Sequence, residues 1–220
     1  MPPKPKFTAL DDALYDYLVA YRSPDDEVVR ELREETARLG DWAVMQVAPD
    51  QATLLRILVA AIGARRAIEV GTFTGFSALA IARGLPPDGR LLCLDVSEEY
   101  TALARKAWAK AGLEDRIELK IAPAIESLQA LPADEHIDVA FIDADKPNYL
   151  NYFAELVLRM RPNGLIMVDN TLWSGLVVDP STGDENTEAL KAFNDAIAAD
   201  DRVDSYILPV SDGLTLIRKR

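Results

Sequence analysis

This chain of 220 residues carries one cysteine, Cys93, and one histidine, His136. A single thiol cannot build a disulfide framework or a cysteine zinc site. A single imidazole rules out a multi-histidine metal centre. Basic residues are scarce as well: 24 stand against 36 acidic ones, for a net charge of -12. Such a surface repels phosphate, which argues against a nucleic-acid or anionic-membrane partner. No apolar run approaches the ~20 residues that cross a bilayer. Met1-Pro2-Pro3-Lys4-Pro5-Lys6 is not followed by a signal-peptide core. A cytoplasmic protein is expected. Internal repeats and low-complexity segments are missing too.

What remains is the profile of a soluble globular chain, 49% hydrophobic and 27% charged. The length predicts one domain over 1–220, with a helical N-terminal cap over 1–62 and an α/β core over 63–220. Residues 1–7 read as a tail. Apolar spacing predicts helices over 10–21, 27–39 and 51–62. Ser23 and Pro24 look like the start of the second of these. Strands are predicted over 67–70, 90–95, 117–121, 137–143 and 165–168. Helices are predicted between them over 77–83, 98–111, 124–131 and 149–158. Arg161-Pro162-Asn163-Gly164 reads as a turn into the fifth strand. A loop over 170–186 and a helix over 187–199 follow. Strands over 203–209 and 214–218, joined at Ser211-Asp212-Gly213, form a closing hairpin. Strands alternating with helices imply a mostly parallel, doubly wound sheet with an antiparallel addition at its end.

The chain is organised around residues 67–77. A short apolar strand holding Glu69 turns at Gly71, passes Thr72-Phe73-Thr74-Gly75 and enters a helix near Ser77. Glycine lets the backbone come close to a ligand, and the helix start offers unpaired N–H groups. The dinucleotide fingerprint G-x-G-x-x-G is not met, because the spacing here is G-x-x-x-G. A ligand role and plain packing both fit the turn. Glu69 is out of place in an apolar strand unless something binds it.

Acidic residues gather at strand ends: Glu69, Asp95, Asp143 with Asp145, and Asp169. In open α/β sheets, ligands bind beyond those ends. Asp95 can accept the ribose hydroxyls of an adenosine. It could also cap a helix, but Ser97 already supplies that cap. Asp143, Asp169 and Asn170 can converge into a hard, all-oxygen site for Mg²⁺, Mn²⁺ or Ca²⁺. A pair of caps or a loop network is the alternative. A lysine next to a cation gives up its proton more readily, so Lys146 is either a general base or a solvated loop residue. Trp173 either walls an aromatic substrate or pins its loop. Asn148-Tyr149 reads as a helix start, and Cys93, Trp42 and Met45 as packing. The length of the 170–186 loop makes it a functional candidate.

Three motifs in order carry a resemblance. They are Glu69 to Ser77, Asp143-Ala144-Asp145-Lys146-Pro147-Asn148-Tyr149, and Asp169-Asn170-Thr171-Leu172-Trp173-Ser174-Gly175. Leu208-Pro209-Val210-Ser211-Asp212-Gly213 adds the closing hairpin. From about Met45 onward the chain resembles the cation-dependent O-methyltransferases that include caffeoyl-CoA O-methyltransferase, in its bacterial-type members. Catechol O-methyltransferase is a more distant relative. The resemblance implies a Rossmann-like class I methyltransferase fold of seven strands. It implies S-adenosylmethionine held by Glu69, Gly71, Thr72, Ser77, Asp95, Ala124, Asp143 and Asp145, with the backbone near Val47. It implies metal ligands Asp143, Asp169 and Asn170, catalytic Lys146 beside Asp143, substrate contacts at Trp173 and Ser174, and a homodimer. Val47 stands where the family often has serine or threonine, and Ser174 where the plant enzymes have asparagine. The N-terminal third lacks the plant motif for coenzyme A thioesters, so a small free catechol is the expected phenolic substrate. An NAD-dependent oxidoreductase and a non-catalytic cofactor-binding scaffold are the rival readings.

Overall fold

A computed structural model describes residues 8–181 and 183–220. The expected tail over 1–7 lies outside them. Three helices come first: α1 (Asp12–Ala20), α2 (Glu27–Ala37) and α3 (Pro49–Ala61). The alternating part runs β1 (Arg66–Val70), α4 (Phe76–Gly84), β2 (Arg90–Asp95), α5 (Glu98–Lys110), β3 (Ile117–Ile121), α6 (Ala124–Gln129), β4 (Ile137–Ile142), α7 (Tyr149–Arg159) and β5 (Met160–Val168). Then come α8 (Glu185–Ala199), β6 (Val203–Leu208) and β7 (Leu214–Lys219). The seven strands lie in the order β3-β2-β1-β4-β5-β7-β6. β7 is antiparallel to both its neighbours, and the other pairs are parallel. The order reverses between β1 and β4, where a doubly wound sheet opens a crevice for ligand. None of the helices among the described residues is long and apolar enough to cross a membrane.

Strand alternation divides the core in two. Ala67, Cys93, Phe141, Met167 and Leu214 face α2 to α5, where Leu32, Leu55, Leu79 and Trp108 pack on them. Ile68, Val70, Leu94, Ile142 and Val168 face α6 to α8, against Leu128, Phe153, Leu156 and Phe193. Cys93 is a core residue, as expected.

Three local expectations are revised. Helix α2 is capped by Asp26, which accepts from the Val29 N–H at 3.0 Å, and not by Ser23. Asp25 is gripped by Arg22 at 2.6 Å and Arg33 at 2.8 Å, which keeps Ser23 and Pro24 in the preceding loop. The turn expected at Arg161 to Gly164 is a bulge inside β5. Ile137 pairs with Met160, and the register then shifts so that Val139 pairs with Leu165. Asn163 absorbs the extra residues with a left-handed φ of 63°. The loop over 170–186 is also shorter than expected: it holds a 3-10 turn, Trp173–Val178, and gives way to α8 at Glu185.

The glycine turn is held by close packing. Gly71 has φ +85°, and a Cβ there would lie 1.8 Å from the Asp143 carbonyl oxygen. Only glycine lets the end of β1 lie this near β4. Gly75, at φ +83°, precedes α4, and a Cβ there would lie 2.5 Å from the Ala104 Cβ. The N-terminal helices dock onto the same turn. Gln46 donates through Nε2 to the hydroxyls of Thr36 at 2.8 Å and Thr74 at 3.0 Å. Val47, next in the chain, is buried.

Candidate active site

The ladder continues one step past the paired strands. Gly71 N–H donates to the Leu94 carbonyl at 2.9 Å, Asp143 N–H to Val70 at 2.8 Å, and Asp169 N–H to Ile142 at 3.0 Å. Glu69, Asp95, Asp143 and Asp169 therefore share one strand parity, that of the face toward α2 to α5. Expected site residues from four strands thus meet at one edge.

Lys146 lies at the centre of that edge. It opens a 3-10 turn, Lys146–Asn148, after β4 and is only 9% exposed. Its ammonium donates to Tyr149 Oη at 2.6 Å, Asn170 Oδ1 at 2.7 Å and Asp143 Oδ1 at 3.2 Å. Those bonds use all its donors. The nitrogen also sits 5.8 Å from the centre of the Trp173 ring. Two expected metal ligands thus already turn an oxygen toward one cationic group. Burial pushes the Asp169 carboxyl up to about 7, helped by the neighbouring Asp143 charge. Burial raises Asp143 as well, with Lys146 pulling the other way. Two carboxylates that resist ionising together, plus an amide oxygen, are a hard donor set that could hold a divalent cation with room for substrate oxygens. No group of three or more His, Cys, Asp or Glu suited to a metal occurs among the described residues. Any ion here therefore relies on the amide oxygen of Asn170.

The closing hairpin holds this loop. Asp212 Oδ1 accepts from the Ser174 N–H at 2.5 Å, and Oδ2 from Asn170 Nδ2 at 3.5 Å. The Asp212 and Gly213 carbonyls accept from Leu172 N–H at 2.9 Å and Thr171 N–H at 3.0 Å. With its Nδ2 tied to Asp212, the Asn170 amide presents Oδ1 to Lys146. The same grip steadies Asn170, Trp173 and Ser174, which have φ of 58°, 48° and 53°. Left-handed backbone at non-glycine residues is strained and gathers at functional sites. The Ser174 side chain is exposed, whereas Trp173 is half-buried beside Lys146.

On the β1 side, Asp95 Oδ2 accepts from the N–H groups of Thr72 at 2.8 Å and Phe73 at 2.9 Å, and Oδ1 from Ser97 at 2.7 Å. About one lone-pair site of roughly four stays free. Ser97 caps α5 as expected. Ser77 and Ala124 are buried at the starts of α4 and α6. Asp145 is exposed, and both its oxygens are taken, by Tyr152 Oη and Asn148 Nδ2, each at 2.5 Å. Glu69 is fully buried, and neither of its oxygens has a hydrogen-bond partner among the described residues. Burial pushes its carboxyl up to about 8, and Ser77, Thr72 and Cys93, whose side chains approach it without full hydrogen-bond geometry, offset only part of that.

Glu69 therefore weakens the ligand-free fold as pH rises. The unfolded carboxyl ionises near 4.5 and the folded one near 8. Between those values the unfolded state sheds a proton that the folded state keeps, so stability falls across the window. Glu69→Gln is expected to flatten the dependence of Tm on pH from 5 to 8. It should leave the variant more stable at pH 8 by on the order of 5 °C or more. Parallel melting curves for the two proteins would put the idea aside.

Two residues of this site were not singled out from sequence. Tyr149, read as a helix start, presents its hydroxyl to Lys146. Asp212 was read only as part of a hairpin. A cavity of about 510 Å³ at the opposite edge of the sheet, lined by Arg66, Arg90 and Glu118 among others, holds none of the expected site residues.

Comparison with known proteins agrees with this fold. Residues 19–220 match the O-methyltransferase family. Caffeoyl-CoA O-methyltransferase 2 of Zea mays is 40% identical over 94% of this chain and 83% of its own length. A protein of that name from Populus trichocarpa is 38% identical over 94% and 89%. The O-methyltransferase from Bacillus cereus, solved in complex with SAH, superposes with a TM-score of 0.87 at 32% identity, over 94% of this chain and 97% of its own. TomG from Streptomyces achromogenes, an O-methyltransferase solved in complex with SAM, gives 0.85 at 29% identity, over 94% and 96%. With this fold and this match, the chain belongs to the cation-dependent class I O-methyltransferase family that includes the caffeoyl-CoA O-methyltransferases.

Proposed function

We propose that this O-methyltransferase moves the methyl group of S-adenosylmethionine onto one hydroxyl of a small vicinal dihydroxy aromatic, with a divalent cation bound by Asp143, Asp169 and Asn170. The observation that carries this reading is the oxygen cluster facing the Lys146 ammonium. The cation, when bound, supplies Lewis-acid chemistry that lowers the pKa of an acceptor hydroxyl.

The chain's own residues do the rest. Glu69, with two unpartnered oxygens, takes donor groups of the methyl donor. Asp95 takes a ribose hydroxyl on its remaining lone pair. Gly71, Thr72, Ser77, Ala124, Asp145 and the backbone at Val47 line the same crevice. Trp173 walls the acceptor's ring, and Ser174 lies at the rim. Lys146 Nζ, once neutral, removes the hydroxyl proton. The acceptor oxygen then forms the O–CH₃ bond as the S–CH₃ bond breaks. Fixed positioning of both reactants supplies much of the rate. The expected homodimer belongs to the same reading, and Leu14, Tyr17 and Leu18, exposed on α1, support it.

The test is methylation of caffeic acid, a generic vicinal diphenol, followed by mass spectrometry with Mg²⁺ and then with EDTA. A methylated product that disappears with EDTA is expected. Product formed equally in EDTA removes the cation from the mechanism. Failure to bind S-adenosylmethionine removes the cofactor reading as well.

A further inference from the structure

The glycine turn is gripped by a residue of the N-terminal third. Gln46 follows a 3-10 turn, Gly40–Met45, and joins two other segments. Its Nε2 donates to Thr36 Oγ1 of α2 and to Thr74 Oγ1 of the glycine turn. The two hydroxyls are themselves hydrogen-bonded at 2.9 Å, and Thr36 Oγ1 also donates to the Leu32 carbonyl at 2.8 Å. Both threonines are buried, so the amide is not readily replaced by water.

Thr74 ends the segment whose backbone sets Asp95. The Thr72 and Phe73 N–H groups both donate to Asp95 Oδ2, and Phe73 does so from a left-handed φ of 51°. Such a backbone persists only when its surroundings hold it. A second link runs through rings. Phe73 packs edge-on against Tyr100 of α5 with centroids 5.0 Å apart, and Tyr100 lies 6.5 Å from Trp42 of the 3-10 turn. Ser97, the cap of α5, gives its N–H to Asp95 Oδ1. Asp95 thus stands inside a ring of contacts that starts at Gln46 and returns to Trp42, four residues earlier.

We propose that Gln46 is a positioning residue for methyl-donor binding, its amide locking the glycine turn so that the Thr72 and Phe73 N–H groups aim the Asp95 carboxylate at the ribose. Its Nε2 hydrogens are spent on the two threonines, so it acts through Thr74 and Asp95. Its effect falls on affinity for the donor, and not on the acceptor or the proton transfer. The inference rests on the methyl-transfer reading above, since that gives Asp95 a ribose to hold.

The test titrates the full chain with S-adenosylhomocysteine by calorimetry. Gln46→Met keeps the length of the stem and removes both hydrogen bonds, so Kd is expected to rise about tenfold. In steady-state kinetics KM for S-adenosylmethionine should rise by a similar factor. At saturating donor, kcat and KM for caffeic acid should stay within about twofold of wild type. Thr36 separates positioning from stability. Thr36→Val takes away one anchor of the amide and should weaken S-adenosylhomocysteine binding, whereas Thr36→Ser keeps the hydroxyl and should restore it. Gln46→Met combined with Thr36→Val should bind no worse than Gln46→Met alone, because both act through one contact. An unchanged Kd in Gln46→Met, whatever its Tm, overturns the proposal. So does a fall in kcat without a rise in KM for the donor, or a double variant whose losses multiply. Should Gln46→Met fail to fold, equal affinity in Thr36→Val and Thr36→Ser overturns it instead. If wild-type protein binds no S-adenosylhomocysteine, the methyl-transfer reading itself has failed, which is a different result.

Discussion

Asp169→Ala is expected to lose about three orders of magnitude in kcat and all response to Mg²⁺, while remaining folded. The Asp169 carboxyl is 3% exposed at the end of β5, and its backbone N–H is fixed to the Ile142 carbonyl at 3.0 Å. Burial and the Asp143 charge already oppose its ionisation. Removing it therefore costs the metal-free fold little and relieves repulsion between the two acids. The cost falls on the reaction. Lewis-acid stabilisation is worth several kcal/mol, and each ~1.4 kcal/mol is a factor of ten. The measurement pairs steady-state rates, with and without EDTA, with a melting curve. A variant that keeps full, EDTA-resistant activity would end the cation assignment. An unfolded variant would show that the carboxylate serves the core.

Lys146→Met is expected to lower kcat by about 10²–10⁴, the usual worth of a general base. Methionine keeps an unbranched stem of similar length and loses the three hydrogen bonds to Tyr149, Asn170 and Asp143. S-adenosylhomocysteine affinity should stay within a few-fold, because most residues assigned to the cofactor crevice, Glu69, Gly71, Thr72, Ser77, Asp95 and Ala124, come from other segments. The diagnostic is the acceptor. A catechol bearing an electron-withdrawing group loses its proton unaided, so its rate in the variant should fall far less than that of an unsubstituted catechol. Equal losses for both would assign Lys146 to holding Asn170 and Asp143 in place, with no part in moving the proton.

The architecture could be read from the residues because local signals and global order agreed. Apolar runs ending in Asp95 and Ile121 set β2 and β3 at their observed limits. Glu69, Asp143 and Asp169 stood out because carboxylates seldom close apolar strands without a task. Where sequence reading failed, a side-chain or strand partner outside the motif itself decided. Ser23 and Asp26 are equally good caps, and the choice was made by Arg22 and Arg33 holding Asp25. Arg161 to Gly164 reads as a turn until pairing with β4 draws it into the sheet. Asp212 acquires its role only when the hairpin folds over Asn170. The left-handed pair Trp173 and Ser174 carries no glycine to announce it.

The shared parity of the four acids bears on how such a chain can change over generations. Loss of one residue within β1, β4 or β5 would turn Glu69, Asp143 or Asp169 toward α6 to α8 and bring Val70, Ile142 or Val168 to the crevice. The hydrophobic count would hardly alter, yet the chemistry would be gone. Substitutions of similar size among Ile68, Leu94, Ile166 and Ile217 touch only the other face and can accumulate there. Length changes are confined to the loops, where they can remodel the acceptor wall while the acids stay in row. One sheet thus allows drift on one side and new substrates at its rim, and keeps the reaction itself constant.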